Sequence, residues 1–421
     1  QVTILVINLI SGLAVGGTVL IAQYIGAKRQ EEVAKTVGTM FTLYGICGAV
    51  ITVVMLLCSR YILIALNTSP EAFDETLAYL NICMGGTIFV VGYNAVSAVL
   101  RGMGDSKHPL LFVAIAAAVN VVLDILLVGP LNMGAAGAAW ATISAQAISF
   151  IISVVVLRRR DFVFDFHPRS FRIHRDLAGK LIKIGLPASL QGTLVSFSFM
   201  VLTGIANVVA VSPLVGSTAL SIAGKVNSIA ILPSMAMQAS VSSMVGQNMG
   251  AGKMDRVHKG FGAGRNLVWI ICVPIVLLYF FFGRFLLLLF MNDPQGPAID
   301  TGMLFLRILS PFYFVVSLKL VTDGILRGCG MMVRFMIATF SDLILRVGIA
   351  IVLSSTALGS TGIWMAWPVG WCIGTGLSLV FYFTAIRKVL AESPAEAEAE
   401  GKAAEARAEA EFAADAEMET L

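Results

Sequence analysis

Apolar residues in this chain come in blocks too long to be one face of an amphipathic element. The runs at 37–66, 110–128, 135–157 and 267–291 are almost unbroken in Val, Leu, Ile, Phe, Ala and Met. Each is close to or beyond the ~20 apolar residues that cross a ~30 Å hydrocarbon core at ~1.5 Å per residue. Setting such runs against their polar breaks predicts eleven helical spans. They lie at roughly 2–26, 37–66, 73–102, 109–129, 134–157, 180–210, 216–249, 262–291, 300–328, 332–355 and 360–386.

The breaks alternate in charge. One set holds Lys28, Arg29 and Lys35; Arg101 and Lys107; Arg158, Arg159 and Arg160 with Lys180 and Lys183; Lys253, Arg256 and Lys259; Arg327 and Arg334; Arg387 and Lys388. The intervening set, which includes Asn67-Thr68-Ser69-Pro70-Glu71, Gly129-Pro130-Leu131-Asn132 and Asn292-Asp293-Pro294, contains no Lys or Arg. The excess of positive charge on cytoplasmic loops assigns the first set, and with it the C-terminus, to the cytoplasm.

Composition excludes a soluble reading. The 421 residues are 57% hydrophobic and 13% charged, where a soluble domain carries about 25% charged residues. Mean hydropathy is +0.87. The six cysteines fall in or at the ends of apolar segments with no CxxC spacing, and the four histidines sit in polar connections. Neither disulfides nor a metal site is expected, nor a nucleic-acid partner.

The chain repeats. Ala22-Gln23-Tyr24-Ile25-Gly26-Ala27-Lys28 recurs as Gly246-Gln247-Asn248-Met249-Gly250-Ala251-Gly252, an offset of 224. Leu100-Arg101-Gly102-Met103-Gly104 recurs as Leu326-Arg327-Gly328-Cys329-Gly330, an offset of 226. Each unit holds an even number of crossings, so the fold class expected is an all-α polytopic membrane protein of two parallel six-helix repeats. The second repeat opens with the span at 180–210. Its counterpart falls before Gln1, so twelve helices are expected in the intact protein, with eleven present here and the first lacking. The domains expected are an N-lobe at 1–160, an inter-lobe cytoplasmic loop at 161–179, a C-lobe at 180–388 and an acidic tail at 389–421. That tail is Ala/Glu-rich and has no apolar face to pack.

Four stretches carry a family resemblance. Gly16-Gly17-Thr18-Val19-Leu20-Ile21-Ala22-Gln23-Tyr24-Ile25-Gly26-Ala27-Lys28 resembles the end of the second helix of MATE (multidrug and toxic compound extrusion) transporters. Leu100-Arg101-Gly102-Met103-Gly104-Asp105-Ser106-Lys107 resembles their fourth-to-fifth helix connection, Asn120-Val121-Val122-Leu123-Asp124 their fifth helix, and the stretch from Gly134 to Thr142 the start of their sixth. The resemblance runs to about residue 388. It implies two lobes around a central cavity and a secondary active antiporter, not an enzyme, that exports drugs or other amphipathic small molecules by alternating access. Inward H+ or Na+ flow would drive it, with no other cofactor. A monomer in the bacterial cytoplasmic (inner) membrane is expected. A lipid-linked oligosaccharide flippase of the same superfamily is the alternative.

Ionisable groups inside spans cost about 2.5–3.5 kcal/mol each on insertion scales, which makes them the candidates for chemistry. In the N-lobe, Asp74 and Glu75 stand at the very start of the span at 73–102, and Asp124 is the one acid deep inside a span, a helical turn after Asn120. Such a carboxylate can take a proton or hold a cation. The resemblance adds Tyr79 and Asn94 to this coupling site, places Ser97 where the family has a further Asn, and puts a partner Asp on the first helix. In the C-lobe, Lys225, Arg307, Lys319, Asp323, Asp342 and Arg346 fall within spans. Lys319–Asp323 and Asp342–Arg346 are spaced to neutralise one another one turn apart. With Gln191, these four are the candidate substrate-cavity residues. Gln191 and Val316 stand near the places where sodium-coupled members carry a C-lobe acid pair. The excess of basic over acidic groups suggests substrates with some anionic character.

Overall fold

The computed structural model describes residues 2–65, 68–159, 164–209, 213–290 and 297–384. Every regular element among them is helical, as backbone in hydrocarbon requires, because each N–H and C=O must find its partner within its own segment. The first half comprises α1 (Val2–Gly26), α2 (Gln30–Ala65), α3 (Pro70–Gly85), α4 (Thr87–Gly102), α5 (Lys107–Val128) and α6 (Gly134–Arg158). The second comprises α7 (Arg175–Val209), α8 (Pro213–Gly250), α9 (Met254–Leu288), α10 (Pro297–Leu309), α11 (Tyr313–Gly328), α12 (Met332–Ser354) and α13 (Ser360–Thr384). Among the described residues ten spans are long and apolar enough to cross a membrane, with α10 and α11 together forming one of them. The α3–α4 pair, bent by 43°, makes the eleventh.

Two spans are interrupted where the sequence predicted continuity. Gly85-Gly86 breaks 73–102 into α3 and α4, and the bare backbone at Gly86 packs tightly on Ile143 of α6. In the second half Pro311 occupies the corresponding place. It withdraws an N–H from the helix, and Ser310–Phe312 form a 3-10 turn between α10 and α11. Helix α2 begins at Gln30, ahead of its apolar run, because Glu31 in the first turn suits the helix dipole and pairs with Lys35 at 2.7 Å.

The outer surface is apolar. Leu57, Leu110, Ile270 and Ile344 are 71%, 71%, 68% and 70% exposed, a state suited to lipid and costly in water. Buried residues form two main cores. One gathers α1, α2, α4, α5 and α6 around Tyr44, Leu100 and Phe112, and the other gathers α7 to α13 around Tyr313, Trp364 and Tyr382.

The halves meet where α1 lies along α7 and α8, and one end of this seam is a two-fold swap. Gln23 Nε2 donates to Gly328 O at 3.0 Å, and Gln247 Nε2 donates to Gly102 O at 2.9 Å. These four residues are repeat counterparts, so each half's glutamine grips the other half's Arg-Gly turn. Glycine permits the approach. A Cβ at Gly26 would fall 1.9 Å from Gln247 O, and one at Gly250 would fall 1.8 Å from Gln23 O.

The tail at 389–421 lies outside the described residues, as do the breaks at 66–67, 160–163, 210–212 and 291–296.

Candidate functional site

Two clusters of polar side chains lie within the spans, one in each half. In the first, α5 places Asn120 and Asp124 one turn apart, both half-buried. Asn120 Nδ2 donates to Thr142 Oγ1 of α6 at 3.5 Å, and Thr142 in turn donates to Ala138 O at 2.9 Å. Tyr79 of α3 is close enough to Asp124 for the two to interact electrostatically. Asp124 Oδ1 is buried and has no hydrogen-bond partner. A cavity of about 190 Å³ opens beside Asn120 and Thr142, with Tyr93, Gln146 and Ser149 on its walls. Asn94, on α4, donates its amide to Val90 O of its own helix at 2.8 Å. Ser97, fully buried, also has an unpartnered Oγ. A carboxylate oxygen buried without a donor is expensive, and a proton or a small cation relieves the cost.

The second cluster surrounds a cavity of about 490 Å³ between α1, α7, α8, α11, α12 and α13. Lys319 Nζ donates to Asp323 Oδ2 at 2.7 Å and reaches Thr339 Oγ1 at 3.5 Å. Asp323, fully buried behind the lysine, also accepts from Ser378 Oγ at 2.6 Å. On α12, Arg346 donates to Asp342 Oδ1 at 2.6 Å, and its guanidinium lies 4.7 Å from the centre of the Trp367 ring. Both pairs join residues one turn apart, and helix α13 leaves room for them. A Cβ at Gly370 would fall 2.6 Å from Asp342 Oδ1, and one at Gly374 would fall 2.7 Å from Lys319 Cε. Gln191 of α7 accepts a hydrogen bond from Arg327, whose guanidinium also stacks on Phe335 at 4.4 Å. Val316, Met235 and Trp371 complete the apolar part of the wall.

A two-fold helical repeat around a central drug-sized cavity, with charged groups buried at mid-span, is the form of a transporter. The MatE family model matches residues 1–126 and 187–352. The chain belongs to the MATE family. Its members are multidrug efflux transporters, not enzymes. The chain is 30% identical over 333 residues to the "Probable multidrug resistance protein YpnP" of Bacillus subtilis, covering 79% of this chain and 71% of that one. It is 27% identical over 396 residues to the "Probable multidrug resistance protein YoeA" of the same organism, covering 91% and 84%. Among solved structures, a multidrug resistance MATE family transporter in the outward-facing conformation superposes with a TM-score of 0.87 at 24% identity, over 92% of this chain and 86% of that one. None of these three is described as an oligosaccharide flippase.

The structure brings Asn120, Asp124 and Tyr79 together, while the amide of Asn94 bonds within its own helix. It also gathers Lys319, Asp323, Asp342, Arg346 and Gln191. Lys225 and Arg307, which looked equally intramembrane in the sequence, are exposed side chains outside the cavity. Sequence reasoning missed Thr142 and Arg327. Thr142 ends a family-like stretch but carries no charge to mark it. Arg327 reads as one more basic residue of a cytoplasmic break, yet α11 extends past it and turns it inward.

Proposed function

We propose that this MATE transporter is a secondary active antiporter that exports amphipathic small molecules by alternating access, driven by inward H+ or Na+ through Asp124. The observation that supports this reading is the buried, unpartnered Oδ1 of Asp124, set among an amide, a hydroxyl and a phenol. Uptake of H+ or Na+ there changes the charge of the first half and so biases it between two packings, which is the requirement for coupling. In this reading 1–160 and 180–388 are the moving lobes. The Gln23 and Gln247 contacts close the cytoplasmic side, the C-terminus is cytoplasmic, and the protein works as a monomer in the bacterial cytoplasmic membrane.

The test is Asp124→Asn in cells lacking their own exporters. Efflux of whichever dyes the wild type exports, from a panel of anionic, neutral and cationic amphipathic dyes, is expected to vanish while the protein still reaches the membrane at wild-type level. Proteoliposomes given a pH jump or a sodium jump separately identify the ion. Full efflux by the Asn variant sinks the assignment.

A further inference from the structure

The charges around the central cavity do not cancel. Among the described residues its walls and their backing carry three cations, Lys319, Arg327 and Arg346, against two carboxylates, Asp323 and Asp342. Each carboxylate already has a partner. Asp323 is held by Lys319 and Ser378, and Asp342 by Arg346. Arg327 hydrogen-bonds the neutral Gln191 carbonyl and stacks on Phe335, and the acid whose charge it feels, Asp323 one turn away, is already held by Lys319, so the positive charges outnumber the negative by one.

Hydrogen bonding is unbalanced in the same sense. Gln238 Nε2, Arg327 Nε and Arg346 Nε are buried nitrogens for which the protein supplies no acceptor, and all three side chains line the cavity. A low-dielectric site with surplus positive charge and surplus donors favours an acceptor-rich anion and penalises a cation. The rest of the wall is apolar and aromatic, with Trp367 and Trp371 set edge to face at 6.0 Å.

We infer that the central cavity takes amphipathic aromatic monoanions, with a carboxylate near Arg327 and a ring against the tryptophans, and that purely cationic drugs are poor ligands. The inference deepens the export reading and rests on it for its biological sense. Binding itself needs no ion gradient.

Three fluorophores decide it: dansylglycine, its uncharged amide, and cationic dansylcadaverine. Titrated into the purified full-length chain in dodecyl maltoside, dansylglycine is expected to bind about ten-fold tighter than the amide, with dansylcadaverine weakest. Arg327→Gln is expected to bring the first two Kd values together, and Arg327→Lys to restore part of the gap. Should the Gln variant fail to fold, displacement of dansylglycine from the wild type by indole-3-acetate but not by tryptamine supplies the second reading. Equal Kd values in the wild type, or tightest binding by dansylcadaverine, overturns the inference. Anion preference without driven efflux would refute only the coupling through Asp124. Driven efflux without anion preference would refute only the inference.

Discussion

Replacing Lys319 by Met removes one partner of a pair that water does not reach. Lys319 is 4% exposed and Asp323 0%, with Nζ and Oδ2 2.7 Å apart. At an effective dielectric of ~20 their attraction is about 6 kcal/mol. Desolvating the two ions costs several kcal/mol each, so the intact pair contributes little net stability. The single variant is different. It leaves Asp323 charged in the interior with the Ser378 hydroxyl as its hydrogen-bond donor and only the more distant Arg327 as a cation, and such broken pairs cost about 3–5 kcal/mol, a large share of the ~5–15 kcal/mol that holds a typical protein folded. Removing both charges as Lys319→Met with Asp323→Leu leaves no orphan, and the expected cost falls to about zero, or to a gain. The assay is thermal unfolding of purified variants in one detergent, followed by tryptophan fluorescence. The two singles should lie well below wild type and the double variant near it, giving a positive coupling in the double-mutant cycle. A double variant that loses the sum of the two singles would refute the reasoning, because the pair would then not be an isolated buried unit. So would an undisturbed Lys319→Met.

The other expectations concern the seam between the halves. Gly26→Ala places a methyl 1.9 Å from Gln247 O, so backbone must move, and overpacking of this kind costs about 1–3 kcal/mol. Gly262→Ala on α9 meets nothing within 4 Å and should instead raise the unfolding temperature, since Gly inside a helix costs about 0.5–1 kcal/mol relative to Ala. Reversal of that order in the same thermal assay would contradict the close approach. Gln23→Ala combined with Gln247→Ala removes two hydrogen bonds that contribute about 0.5–1.5 kcal/mol each, and so shifts the balance toward separation of the halves at that end. Spin labels placed across the seam should report a larger population of long distances. An unchanged distance distribution would show that the swap does not hold the halves together.

Much of the fold is legible because the bilayer makes two demands that sequence records directly. Span length and uninterrupted hydrophobicity give eleven crossings, and recurrent glycine-rich stretches give the repeat. The breaks at Gly86 and Pro311 are less visible, since a double glycine or a single proline within a span is compatible with either a bend or a continuous helix until a neighbour such as Ile143 is known. The site is half legible. Pairs spaced one turn apart, such as Lys319–Asp323, announce themselves by periodicity. Which face they occupy does not, because a transmembrane helix is apolar toward both lipid and protein. Lys225, exposed, and Lys319, buried, look alike in the sequence for that reason.

The repeat also separates what the two halves share from what they do not. The residues of the seam are kept in register: Gln23 with Gln247, Gly26 with Gly250, Gly102 with Gly328. At the offset of 226 that relates α4 to α11, Lys319 and Asp323 stand where the first half has Tyr93 and Ser97. Closure of that end therefore needs both halves to be alike, since each donor is matched to the other's acceptor and a change in one half would break a single bond of the pair. Binding places no such demand. Under the proposed function, the first half's unpartnered Asp124 is the point of ion entry, while the second half's Asp323 and Asp342 are already held by lysine and arginine. In the proposed exporter this divides the labour, with energy entering through the first half and the substrate resting mainly on the second.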